Sequence, residues 1–181
     1  IILNNIIDMK KSILSILFAV IACACYAQTP LTFTKTINIQ GTKEELHKSA
    51  QQFFLVAFDS YEDVINCEDS IVVEGKGSML FNPVVLYASI LGNINYIGRT
   101  VIKDGSIIFT MTDFTHAPMK KAAFNNTMGV LVAELPKNLS DIGISGANRK
   151  SCYKYYYKVG VIECKQKFDT TFEKLAGVVF K

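Results

Sequence analysis

Two β-rich runs meet at Asp104-Gly105, and that junction restricts the fold more than any other stretch of the chain. Asp-Gly suits a two-residue turn that needs positive φ, and the flanks, residues 93–103 and 106–114, are dense in β-branched and aromatic residues. An antiparallel hairpin follows. It commits the middle of the chain to a sheet whose apolar face other elements must cover.

The remaining periodicities supply those elements. From Leu31 to Gln40 the odd positions read Leu, Phe, Lys, Ile, Ile and the even ones Thr, Thr, Thr, Asn, Gln, a half-buried strand with Lys35 as the exception. Thr42 and Glu45 form a capping box, after which Leu46, Ala50, Phe53, Phe54 and Ala57 recur at helical spacing. Residues 63–67 and 70–81 read as extended, with Ile71, Val73 and Met79 on one side and Glu74, Lys76 and Ser78 on the other. Residues 116–150 lose periodicity and are punctuated by Pro118, Gly129, Pro136, Gly143 and Gly146, which predicts a long loop with at most one short element near 130–135. Tyr153, Tyr157, Val161, Cys164, Phe168, Phe172, Leu175 and Val179 then step by threes and fours, a long amphipathic helix weakest at Gly160 and Gly177. The order β-α-β-β-β-β-α makes an α+β domain over residues 28–181, with helices on one face of a curved antiparallel sheet. The 181 residues, half of them hydrophobic, suffice for one core.

The start of the chain is expected to act as an export signal. Lys10 and Lys11 follow Met9, an apolar run from Ile13 to Ala22 comes next, and small residues lead to Ala27. The run is shorter than the roughly 20 residues of a bilayer span. Residues 1–8 are expected to precede the true initiator, Met9. Two processing routes fit: ordinary cleavage between Ala27 and Gln28, which is favoured, and a lipobox that ends at Cys23 and would acylate it into a membrane tether. The expected location is periplasmic or secreted, or alternatively the outer membrane as a lipoprotein. The net charge of +3 becomes +2 once Asp8, Lys10 and Lys11 are removed, which gives no footprint for nucleic acid or an acidic membrane. Cys67, Cys152 and Cys164 remain after cleavage. On a helix Cys152 and Cys164 lie about 18 Å apart and cannot pair with each other, whereas Cys67 could pair with either, or all could be buried thiols.

The signal peptide, the opening strand with its capped helix, and the run from Gly98-Arg99 through Asp104-Gly105 to Thr112-Asp113-Phe114-Thr115-His116 resemble a bacterial domain-of-unknown-function family with a TBP-like fold, found in exported proteins of Gram-negative bacteria. The resemblance covers about residues 31–135. It implies a fold and a compartment but no activity, and the fold label does not imply DNA binding.

Few residues carry chemistry. Cys67, His116 and Asp113 are the components of a hydrolytic set, but no nucleophile signature surrounds Cys67, and Asp113 and His116 are expected to satisfy backbone groups where the hairpin leaves the sheet. His47 is expected to point to solvent. Two histidines and unclustered cysteines argue against zinc. Gly75-Lys76-Gly77-Ser78 lacks phosphate-loop spacing and reads as a bulge in a bent strand. Asp59, Glu62, Asp63, Glu68 and Asp69 lack a calcium-loop pattern and read as a solvated turn. Tyr153, Tyr155, Tyr156 and Tyr157 cannot all face one core. With Phe53, Phe54 and Phe168, Tyr153 and Tyr157 could floor an apolar groove, against the plainer expectation of core packing with one exposed tyrosine.

The expected function is therefore a non-enzymatic cell-envelope domain without a cofactor, which binds a protein or glycan through its sheet face or long loop. The alternatives are a carrier of a small apolar ligand under the last helix and, third, an envelope hydrolase.

Overall fold

A computed structural model describes residues 29–66, 70–83, 91–119, 127–142 and 147–180. The export signal with Cys23, Ala27 and Gln28 lies outside the described residues, as do Cys67, Glu68, Asp69, Gly143 and Gly146. Strand β1 (Phe33–Asn38) leads into helix α1 (Lys43–Ala57). Strands β2 (Ser60–Asn66), β3 (Ile71–Phe81), β4 (Gly92–Lys103), β5 (Ser106–Pro118) and β6 (Gly129–Val130) follow, then a 3-10 turn (Leu139–Ile142) and helix α2 (Ala147–Val179). The sheet runs β1-β5-β4-β3-β2, every neighbour antiparallel, with β6 against the far end of β5. This is the expected α+β architecture. The stretch expected as a loop is shorter at both ends, because β5 continues to Pro118 and α2 begins at Ala147, and its described residues contain two short elements where at most one was expected.

The hairpin turn also anchors the first helix. The Thr42 hydroxyl accepts the Glu45 N–H while the Glu45 carboxylate accepts the Thr42 N–H, the reciprocal pair read from the sequence. Asp104 adds a third acceptor, its Oδ1 2.7 Å from the Lys43 nitrogen. Gly105, at φ 73°, donates to the Gly41 carbonyl and accepts from Ile39. Asp104 thus satisfies the Lys43 N–H, a donor that α1 would otherwise leave open, and Gly105 ties the turn to the residues that precede the helix.

A bulge explains the Thr-Asp-Phe-Thr-His run. Asn95 pairs Thr115 and Ile97 pairs Thr112, so Tyr96 faces two residues, Asp113 and Phe114. Asp113 takes φ 56° and is exposed. The extra residue switches the inward parity of β5 from Ile107, Phe109 and Met111 to Phe114 and His116. Short polar residues tolerate the left-handed region and β-branched ones do not. Asp113→Gly is therefore expected to leave stability within about 0.5 kcal/mol and Asp113→Val to lower it by about 1–3 kcal/mol in urea melts. Equal effects of the two would remove the backbone account.

Both helices pack on one face. α1 inserts Leu46, Ala50, Phe53 and Phe54, and α2 inserts Tyr153, Tyr156, Tyr157, Cys164, Phe168, Leu175 and Val179. Gly75 and Gly98 sit directly opposite on β3 and β4 and open a notch that holds Phe54 and Phe58, stacked at 4.6 Å. The ring of Tyr96 lies across Gly77. The glycines of 75–78 therefore make room for rings. The bulge expected there is absent, since β3 and β4 pair without interruption.

Candidate functional site

The face of the sheet turned away from the helices carries rows of side chains set by register. One row reads Glu62, Glu74, Arg99, Thr110 and Thr34 across β2, β3, β4, β5 and β1. The next reads Val72, Val101, Ile108 and Thr36, and a third Ser60, Lys76, Ile97 and Thr112. Thr34 and Thr110 share a hydroxyl hydrogen bond of 3.1 Å, as do Thr32 and Thr112 at 2.9 Å. No described helix packs on this face. Val72 is buried within it, Val101, Ile108, Thr110 and Thr112 are half-buried, and Thr34, Thr36, Arg99 and Lys76 are exposed. At its β2 edge Glu62 directly opposes Glu74, a like-charge pairing that works against stability. A cleft of about 150 Å³ lies there between Ser60, Tyr61, Glu62, Glu74 and Lys76. Among the described residues no ion pair joins Glu62, Glu74, Lys76 or Arg99. The period-two pattern gave the parity of single strands, but nothing in the sequence told which threonines would meet.

The residues grouped as a groove fall into two sets. Phe53 contacts Phe54 at 5.4 Å and Phe109 at 6.0 Å, and Phe109 stacks on Phe168 at 5.7 Å. Tyr153 and Tyr157 stack on each other at 6.2 Å at the other end of α2. Their hydroxyls serve the backbone beyond β5: Tyr153 donates to Met128, and Tyr157 accepts from the Val132 N–H at 2.7 Å and donates to the Val132 carbonyl. Burial raises the pKa of both phenols, so these donors stay protonated. Tyr156 is buried and Tyr155 is 52% exposed, the arrangement of core packing with one exposed tyrosine.

Asp113 and His116 do not meet as a catalytic pair. Asp113 faces solvent, while His116 is 2% exposed, against the edge of Phe81, with Nδ1 accepting the Met128 N–H at 3.3 Å. His116 does satisfy a backbone group, but the strand continues past it to Pro118, so the hairpin does not leave the sheet there. His47 is not simply solvent-facing: its side chain is 18% exposed, and Nε2 lies 2.9 Å from Asp63, which also accepts from Gln51. The pairing ties α1 to β2. Glu62 and Asp63 sit on that edge strand and not in a turn. No group of three ligating side chains suited to a metal occurs among the described residues. Cys164 is buried, its thiol pushed up to about 12 by desolvation and then by the Glu163 charge, whereas Cys152 is exposed; neither is in a disulfide. Of the two described cysteines, Cys164 fits the expectation of buried thiols and Cys152 does not. Thr100 is fully buried among the inward residues, and its hydroxyl has no partner among the described residues.

No family model matches the sequence, and no curated protein matches it. Among solved structures, a DUF4468 family protein from Bacteroides ovatus is similar at 12% identity and a TM-score of 0.43, over 83% of this chain and 86% of that one. A TBP-like protein from Parabacteroides distasonis is similar at 13% identity and a TM-score of 0.50, over 81% of this chain and 93% of that one. The likeness to the second, with the sheet and helices described above, gives the chain a TBP-like α+β fold.

Proposed function

We propose that the chain is an exported cell-envelope domain that acts by binding a protein, without catalysis, through the outer face of its sheet. The observation that carries this reading is the face itself: the half-buried Val101 and Ile108 set between hydroxyl and charged rows, with no described helix packed on them. An apolar strip bordered by polar groups is how a protein-binding surface is built. The opposed Glu62 and Glu74, retained without an ion-pair partner, are accounted for by a partner that supplies one.

Photo-crosslinking in the host distinguishes the faces. A crosslinker at Arg99 or Thr110 is expected to give a discrete adduct, and one at Val56, 89% exposed on α1, none. Thr110→Arg should abolish the Arg99 adduct with the fold intact, while His116→Gln should leave it in place. Adducts from both faces alike, or only from Val56, would refute the assignment.

A further inference from the structure

The near-neutral net charge of the chain hides an uneven distribution. From Arg149 to Ile162 helix α2 carries Arg149, Lys150, Lys154 and Lys158 and no carboxylate, a charge of +4 against +3 for the whole chain. The remainder of the chain is thus net negative, and these 14 residues, about 20 Å of helix, hold more than all of the excess. None of the four cations has an ion-pair partner among the described residues. Arg149, Lys154 and Lys158 are exposed and Lys150 is half-exposed.

The placement opposes what helix stability alone favours. The first turn has Arg149 and Lys150 and no acid, at the end where the helix dipole prefers negative charge. The same solvent side holds two amphipathic or apolar groups: Tyr155, 52% exposed, and Ile162, 47% exposed, seven residues apart and so on one stripe. Lys154 and Lys158 flank that stripe one turn apart, and the buried side of the segment is occupied by Tyr153, Tyr156 and Tyr157.

We infer that the N-terminal half of α2 is a docking surface for an anionic lipid bilayer. Lysines on the flank meet the headgroups while Tyr155 and Ile162 enter the interface, as in peripheral amphipathic helices. A soluble polyanion would satisfy the lysines but would leave the exposed tyrosine and isoleucine without a role, so the bilayer is favoured. No described helix is long and apolar enough to cross a membrane, so the contact is peripheral. It lies on the helix layer, opposite the sheet face proposed for a protein partner, and does not depend on that proposal.

Vesicle co-sedimentation of the protein as isolated from its host tests this. Vesicles with about 30% phosphatidylglycerol in phosphatidylcholine should bind roughly tenfold more tightly than phosphatidylcholine alone at about 0.1 M salt. The ratio of the two affinities is read because any apolar or acylated N-terminus contributes to both. Lys150→Gln/Lys154→Gln/Lys158→Gln should bring the ratio near one, with an unchanged melting temperature as the folding control. Tyr155→Ser/Ile162→Ser should weaken phosphatidylglycerol binding severalfold. A wild-type ratio near one, or a ratio that survives the triple substitution, would overturn the inference. A ratio indifferent to Tyr155 and Ile162, with soluble polyphosphate competing fully, would reassign the surface to a polyanion.

Discussion

Replacing Phe168 with alanine is expected to lower unfolding free energy by about 3–5 kcal/mol. Phe168 is 1% exposed and stands where α2 crosses the sheet. It stacks on Phe109 of β5 at 5.7 Å, meets Phe33 of β1 at 5.5 Å and Phe172 one turn on at 6.3 Å. The ammonium groups of Lys35 and Lys165 sit over its ring, both at 5.7 Å, so truncation also removes the surface on which two lysine stems rest. Asp169 beside it is hydrogen-bonded by the same two lysines, which lower its pKa, yet it is solvent-accessible, and Asp169→Asn should change little. Equilibrium urea denaturation of the two variants separates packing from charge. Phe168→Leu supplies the graded control, with an expected loss of about 1–2 kcal/mol.

The same experiment bears on the apolar-carrier reading. A side chain that floors a ligand cavity already lacks contacts on one side, so its truncation costs less than that of a ring packed all round. A loss near 1 kcal/mol for Phe168→Ala would place a void beside the ring and revive the carrier. A loss in the full range means that the rings between sheet and helix are packing partners.

The sequence disclosed elements more readily than relations between them. The Asp104-Gly105 hairpin, the Thr42–Glu45 box and the stripe of α2 were legible because each is set by residues adjacent on the chain or one turn apart. The parity of β3 was legible for the same reason. The bulge at Asp113 was not, because it shows only as a slip from odd to even inward residues, and Thr-Asp-Phe-Thr-His alternates plausibly in either phase. The His47–Asp63 pair joins positions 16 apart whose approach depends on how α1 settles against β2. Rows such as Glu74, Arg99, Thr110 and Thr34 need the register of four strands at once. The net charge conceals the distribution for a related reason: it averages a helix half of +4 with a remainder of opposite sign. The glycines of 75–78 were noticed for the right property, a missing side chain, but assigned to backbone bending when the space serves neighbouring rings.

That last correction yields the second large effect. Gly98→Ala is expected to cost about 2–4 kcal/mol, although a single added methyl in a strand ordinarily helps by limiting the unfolded chain. A Cβ at Gly98 would stand 2.2 Å from Cζ and 2.4 Å from Cε1 of Phe58, far inside contact distance. The ring has nowhere to go. It stacks on Phe54 at 4.6 Å and meets Phe53 at 5.9 Å and Tyr96 at 6.1 Å edge-on. The opposite strand offers no relief, since a Cβ at Gly75 would lie 2.8 Å from Cγ of Phe58. Phe58→Ala alone should cost about 3–5 kcal/mol through the cavity it leaves. If the clash is the cause, the double variant is less damaged than the sum of the two by about 1–3 kcal/mol, because the methyl then occupies space the ring has vacated. Strict additivity in that cycle would mean that Gly98 matters through its backbone, and the notch in the sheet would cease to explain why two facing strands both carry glycine at that register.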